Sequence, residues 1–327
     1  MQNIKARNSM KFNPLFITAG ILVIFLTACS FNIPSPGSKR VDFRTGTSGL
    51  ELSLDGPEEI YGFAGEAPPP ETYVLDIYNA GATPITQDGI FLRIDLSSDL
   101  SGADGKLIVK GLQDLTEGTG LEKLEGKTQD SKKGQTVSHV FSVGIPTLNQ
   151  EALNTEIDIY ACYTYSTVLS SSICINTERH RPGEGCRKDE YSYSSQGAPI
   201  VISNIKLMEE KGDSDTSVKH RFILTLENSG DEKFSMPDNL EGLCLRDEDT
   251  YRLQISEAKV GDISLECGNT AKISDSEAIV VCVPSSAFEE DPLGYFDTTI
   301  LIKLEYSYFT HLEHELAIIT ETYSELH

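Results

Sequence analysis

Hydrophobic and polar residues alternate along most of the chain beyond residue 46. Polar residues separate Leu50, Leu52 and Leu54, and the same spacing recurs at Tyr73, Leu75 and Ile77 and again at Ile90, Leu92 and Ile94. A period of two, interrupted by clusters of Gly, Pro, Asn and Asp, predicts half-buried strands of antiparallel sheets. No long 3.6-period segment competes with it. The best helical stretch, Leu148 to Leu153, amounts to about one and a half turns.

The pattern repeats. Residues 157–175 (IDIYACYTYSTVLSSSICI) and 300–318 (ILIKLEYSYFTHLEHELAI) match at a constant offset of 143. Ile157, Ile159, Tyr163, Tyr165, Thr167, Leu169, Ile173 and Ile175 fall on Ile300, Ile302, Tyr306, Tyr308, Thr310, Leu312, Leu316 and Ile318. All share one parity, which reads as one face of a Tyr-rich hairpin preserved twice. YVLDIYNAG (73–81) matches FILTLENSG (222–230) at offset 149, and VFSVGIP (140–146) matches IVVCVP (279–284) at offset 138 when Pro146 is set on Pro284. Three anchors in one order predict a duplicated domain. Asn79-Ala80-Gly81 and Asn228-Ser229-Gly230 read as turns, because Asn and Gly tolerate positive φ.

Short strands spaced by turn signals in units of about 130 residues favour immunoglobulin-type β-sandwiches. The expected fold is therefore all-β: two tandem immunoglobulin-like β-sandwiches after an N-terminal signal or anchor helix. The boundaries read as signal segment 1–28, tether 29–46, first domain 47–175, linker 176–196 and second domain 197–327.

Lys5, Arg7 and Lys11 precede an apolar run from Leu15 to Leu26, followed by Leu26-Thr27-Ala28-Cys29. A spanning helix needs about 20 apolar residues, and this run is shorter, so it reads as a secretory signal. The tetrapeptide resembles a lipobox, which implies a lipid on the Cys29 thiol and a new N-terminus there. The alternative is an uncleaved signal anchor spanning Phe12 to Ala28, with Cys29 incidental. Either version attaches the chain to a membrane and places the remainder on its outer, extracytoplasmic face. Ser30 to Lys39, polar with two prolines, reads as a spacer.

The strand followed by N-x-G is similar to CARDB-like, adhesion-type immunoglobulin modules of prokaryotic surface proteins. More of the chain resembles a family of membrane-tethered archaeal surface proteins. The resemblance rests on GTSGLELSL, ACYTYSTVLSSSICI, QGAPIVISNIKLME, ISLEC with a later VVC, and ILIKLEYSY, and covers most of residues 46–318. It implies a tethered extracytoplasmic β protein with two domains, and no reaction.

Composition narrows the partners. Fifty acidic residues against 27 Lys and Arg give a net charge of −23, so no basic footprint for nucleic acid exists. Cleavage before Cys29 would remove three cations and no acid, making the remainder more acidic still. Such a chain favours a cationic or metal-bridged cell-envelope partner. Six cysteines follow Cys29: Cys162, Cys174, Cys186, Cys244, Cys267 and Cys282. None forms C-x-x-C, and an even set in an oxidising compartment reads as three disulfides. The second copy has Glu305 and Ala317 where the first has Cys162 and Cys174, a joint absence that predicts a Cys162–Cys174 bond. Cys267 with Cys282 and Cys186 with Cys244 complete that set. The rival connectivity closes Cys174 to Cys186 locally and leaves Cys162 for another partner.

Catalytic signals are sparse. His311, Glu313, His314 and Glu315 form the His-rich cluster, yet H-L-E-H-E fits neither zinc-helix pattern, and at a hairpin tip the side chains need not converge. His139, His180 and His220 stand alone. Gly46-Thr47-Ser48-Gly49 lacks the spacing of a nucleophile elbow, and no phosphate-binding glycine loop is present. Asp247-Glu248-Asp249 and Glu289-Glu290-Asp291 are not EF-hand loops. Tyr163, Tyr165, Tyr306 and Tyr308 invite a sugar-stacking reading, but they share the buried parity of Ile157, Ile159, Ile300 and Ile302. The expectation is a surface-anchored interaction protein without catalytic activity, metal or cofactor. The alternative is an extracytoplasmic hydrolase or ligand-binding lipoprotein with a loop-borne site. Replacing Cys29 by Ser is expected to abolish lipid attachment and leave uncleaved precursor; mass spectrometry of the membrane fraction checks this, and an unmodified Cys29 in wild-type protein would favour the anchor.

Overall fold

The computed structural model describes residues 43–321 apart from residues 64, 98–99, 101–105, 116–120, 146, 148–150, 179–184, 213–217, 231, 247–248, 275 and 290. The signal segment, Cys29 and most of the tether lie outside the described residues. The first copy contains β1 (Leu50–Asp55), β2 (Glu59–Phe63), β3 (Glu71–Asn79), β4 (Ile85–Thr86), β5 (Ile90–Leu96) and β6 (Lys106–Lys110). A one-turn helix, α1 (Gly111–Leu115), precedes β7 (Lys123–Leu124), β8 (Thr136–Val143) and β9 (Ala152–Asn176). The second copy contains β10 (Glu190–Ser192), β11 (Ile200–Lys211), β12 (Val218–Asn228), β13 (Phe234–Ser235), α2 (Leu240–Leu245) and β14 (Arg252–Val260). It ends with β15 (Ile263–Glu266), β16 (Thr270–Lys272), β17 (Glu277–Pro284) and β18 (Tyr295–Glu321). The molecule is all-β, and no described helix is long and apolar enough to cross a membrane. The helical stretch expected from Leu148 is not there: residues 148–150 lie outside the described set, and Leu153 is already in β9.

The two expected Tyr-rich hairpins are single straight strands. β9 has 25 residues and β18 has 27, where strands usually have about five or six. They pair antiparallel from Tyr295 opposite Asn176 to Ile319 opposite Ala152. At about 3.3 Å per residue this ladder is roughly 80 Å long. Its register places Thr164 opposite Ser307, and these two residues are also 143 apart, the offset of the repeat. Each is therefore its partner's counterpart, and a local two-fold axis passes between them. The duplicated units form an internal pseudo-dimer joined through one ladder.

Around this spine, β5 and β6 extend the shared sheet beyond β9, and β14 extends it beyond β18. β2 lies parallel along the far end of β18. A separate three-stranded sheet, β1-β3-β8, belongs to the first copy; β11-β12-β17, with β10 on its outer edge, repeats its order in the second, where β15 pairs with β17 and with β14 and so joins it to the spine sheet. Odd residues of β9 and even residues of β18 face inward, so Ile157, Tyr163, Ile302 and Tyr306 join Leu75, Ile77 and Leu224 in one core. The described residues cluster as one compact unit. The register also corrects the third repeat anchor. Tyr73 lies opposite Phe141 and Phe222 opposite Cys282, so β8 and β17 correspond at offset 141, and Pro284 matches Val143 rather than Pro146.

The N-x-G motifs have a different physical reason from the one expected. Neither Gly81 nor Gly230 has positive φ. Instead, a methyl on Gly81 would overlap the Tyr165 hydroxyl, and one on Gly230 the Tyr308 hydroxyl. Each hydroxyl donates to the asparagine of its own motif, Tyr165 to Asn79 Oδ1 (3.4 Å) and Tyr308 to Asn228 Oδ1 (2.9 Å). Asn79 Nδ2 donates to Thr83 O (2.8 Å) and Asn228 Nδ2 to Glu232 O (2.9 Å), closing the same turn twice. Tyr163 and Tyr306 accept from the backbone N–H of Leu50 (3.1 Å) and Ile200 (3.4 Å), again at equivalent places. Glycine is required by close approach, not by left-handed backbone.

Three disulfides are present: Cys162–Cys244, Cys174–Cys186 and Cys267–Cys282, with Cα separations of 5.7, 5.6 and 4.0 Å. Cys267–Cys282 is as expected. The expected Cys162–Cys174 bond does not form, because both residues sit on β9 and 12 residues of strand span about 40 Å. Cys186–Cys244 does not form either; Cys174 takes Cys186, and Cys162 takes Cys244 on α2. Joint absence from the second copy had another cause. Their partners lie in α2 and in the stretch between copies, neither of which is duplicated. Cys162–Cys244 joins the copies across the outer face, where Phe91, Leu243 and Phe309 form a small second core. In the stretch expected to be a linker, Cys186 is bonded to β9 and Glu190–Ser192 pairs with β11. Three disulfides fit an oxidising, extracytoplasmic environment.

Gly81→Ala is expected to destabilise the fold by about 1–3 kcal/mol through overpacking. In a Tyr165→Phe background the same change should cost somewhat less, because the nearest obstructing atom is gone, while the backbone oxygens of Gly197 and Ser48, 2.6 and 2.7 Å from the added Cβ, still resist it. Denaturant melts of the two single variants and the double variant give the coupling.

Candidate functional site

The His-rich segment is split by the strand it lies on. His311, Glu313 and Glu315 share the outward parity of β18, and His314 has the inward one. His311 Nε2 lies 2.9 Å from Asp158 Oδ1, with its ring stacked on Tyr160 at 4.7 Å. His314 Nε2 is 3.3 Å from Pro57 O, and its ring meets Tyr73 edge-on at 5.7 Å. The two imidazoles serve opposite faces, and no group of three or more potential metal ligands exists among the described residues. This segment lies within a strand, not at the expected hairpin tip.

The four central tyrosines are core. Burial pushes the Tyr163 phenol up to about 12, and burial also raises Tyr165 and Tyr306. Their rings pack on one another across the axis, Tyr163 on Tyr308 at 6.0 Å and Tyr165 on Tyr306 at 6.4 Å. No ring face is left for a sugar. Asp291 is a turn residue, its Oδ1 accepting from Leu293 N (2.8 Å). Asp247, Glu248, Glu290 and His180 lie outside the described residues.

On the outer face, a ladder absent from the sequence reading runs over β5, β9 and β18. Arg93 lies 4.1 Å over the Tyr160 ring, pairs with Asp95 (3.2 Å) and donates to Cys244 O (2.7 Å). Tyr160 in turn carries His311. Arg93 is thereby committed to holding α2 on the sheet.

Among the described residues, an open trough of about 930 Å³ lies at the end of the spine. Five glutamates line it: Glu58 and Glu59 at β2, Glu156 on β9, and Glu313 and Glu315 on β18. The register explains the convergence. Glu156 lies directly opposite Glu315, and Glu59 is beside Ala317. No Lys or Arg is among the described lining residues. Like charges directly opposite on a sheet cost stability, so the arrangement is not one that folding favours. Sequence reasoning missed it because three segments far apart in the chain meet only through the register of the spine and the parallel docking of β2. The alternating Glu313 and Glu315 were the one local signal.

His220 is buried beside this fold's other end, opposite Glu209 on β11 and edge-on to Phe288 at 5.1 Å. Its Nε2 has no hydrogen-bond partner among the described residues. Burial holds the imidazole below its usual value, against the opposing pull of Glu209. No protein-family model matches the chain, and no curated protein matches it.

A histidine depressed in the folded state takes up its proton more readily when unfolded. The stability it contributes is complete above about pH 6.5 and is lost as pH falls through the folded-state value. Tm of wild type should therefore drop between about pH 7 and about pH 5 by more than that of His220→Gln; equal drops in calorimetric scans would assign the acid sensitivity elsewhere.

Proposed function

We propose that the protein is a membrane-anchored, extracytoplasmic interaction protein that catalyses no reaction. It holds two immunoglobulin-like sandwiches as one rigid body at the outer face of the membrane and offers its acidic trough to a cationic cell-envelope partner. The observation that carries this reading is the trough itself: five glutamates on a polar, open surface, two of them directly opposed across the spine. A basic segment of a partner would relieve that repulsion on binding. Support comes also from the disulfide between copies and the tyrosine network, which tie together the two copies whose strands carry Glu156, Glu313 and Glu315. The Pro-containing spacer after Cys29 suits a body held close to a bilayer.

The competing reading, an extracytoplasmic hydrolase, draws on the same Glu156 and Glu315, because a carboxylate pair is the minimum for glycoside hydrolysis. Full-length protein in detergent is expected to bind an oligolysine peptide, more weakly as salt rises. Changing Glu156, Glu313 and Glu315 together to Gln should weaken binding about tenfold or more and flatten the salt dependence. Unchanged binding would sink the interaction reading, and wild-type glycan turnover lost in Glu156→Gln would establish the hydrolase.

A further inference from the structure

The internal duplication supplies a control for the surface positions that both copies share, and one face fails it. On the outer side of β17, Ile279, Val281 and Val283 are 69, 49 and 38% exposed. Ile223 lies beside Val281 on β12, with Lys206 on its other side in β11, and Met208, 42% exposed, lies opposite Arg221. The equivalent positions of β8 are Ser138, Val140 and Ser142. The fold therefore accepts serine at two of the three places, and the apolar row answers no demand of folding. Contiguous exposed β-branched residues on a strand are an aggregation hazard unless something covers them.

We infer that the cover is a second copy of this chain, stacked face to face through β11-β12-β17 about a two-fold axis. The charge pattern selects that occupant. Along β12, Arg221, Ile223, Thr225 and Glu227 share the outer parity, with the cation at one end of the apolar row and the carboxylate at the other. Arg221 pairs with Glu210 at 3.2 Å within the chain. An axis crossing the strands at the level of Val280 would lay β12 antiparallel on β12 of the copy. Ile279 would then sit over Val281 of the copy, and Arg221 over its Glu227, with the same contacts made twice. With a net charge of −23, most surfaces repel another copy; this one carries both signs in the order self-association needs. The inference does not depend on the trough or its ligand.

The test is the mass of the full-length protein in detergent, by light scattering over an about hundredfold concentration range. Wild type is expected to reach the mass of two chains. Val281→Lys should remain a single chain at every concentration, with a Tm equal to that of wild type at the lowest concentration, where wild type is also a single chain, and Val140→Lys, at the equivalent place on β8, should still dimerise. Arg221→Glu and Glu227→Arg should each weaken the dimer about tenfold, and the double variant should regain it. A single-chain mass for wild type overturns the inference, whatever else binds the row. So does a dimer that survives Val281→Lys, which would place association in the anchor, or a charge-reversed pair that does not recover.

Discussion

The ladder between β9 and β18 is the constraint on which the rest depends. Because Thr164 and Ser307 face one another at the centre of a two-fold repeat, every residue near the axis packs against its own counterpart. Four buried tyrosines meet there, and each must place a hydroxyl. Each finds a partner in its own copy, Tyr163 at Leu50, Tyr165 at Asn79, Tyr306 at Ile200 and Tyr308 at Asn228, and Tyr165 and Tyr306 also reach across, to Gly197 O and to Thr167 Oγ1. The rings thus join the copies, and the hydroxyls join the layers. A buried hydroxyl left unpaired costs about 1–3 kcal/mol, so the turn that receives it cannot drift. This is why the asparagine and the glycine of each motif are inseparable. The amide closes the turn and accepts the phenol, and the missing Cβ gives the phenol room.

Much of this was legible in the sequence, and the failures have specific causes. Parity identified the inward residues of β9 and β18 and placed the tyrosines in the core, because alternation is a property of the strand itself. It did not distinguish a straight strand from a hairpin, since a hairpin can keep one parity on one face through its turn. The absence of Gly, Pro or Asn between Ile157 and Ile175 was the discriminating signal. The same error misdirected Cys162 and Cys174, which two arms of a hairpin would have brought together and one strand keeps apart. The trough was illegible for another reason. Glu59 reaches it through a parallel pairing with β18 that no repeat or spacing encodes.

The two copies have diverged on the outside and not at the axis. The Asn–Tyr–Gly arrangement survives in both with matching hydrogen bonds, although the sequences between have drifted through insertions such as α2. Copy-specific features then collect where the fold is permissive. Cys162 and Phe309 on the outer face hold α2, and the apolar row of β17 replaces serines of β8. Two glutamates of the trough occupy positions that are occupied otherwise in the other half: Glu313 and Glu315 correspond to Ser170 and Ser172. A sheet position that takes serine in one copy and glutamate in the other is under no packing requirement. Two glutamates opposed across the ladder are then a cost that the fold does not impose, and the ladder's rigidity keeps them from relaxing apart. The repulsion is thus already present in the folded protein, and this is the physical ground on which the proposed binding of a cationic partner rests.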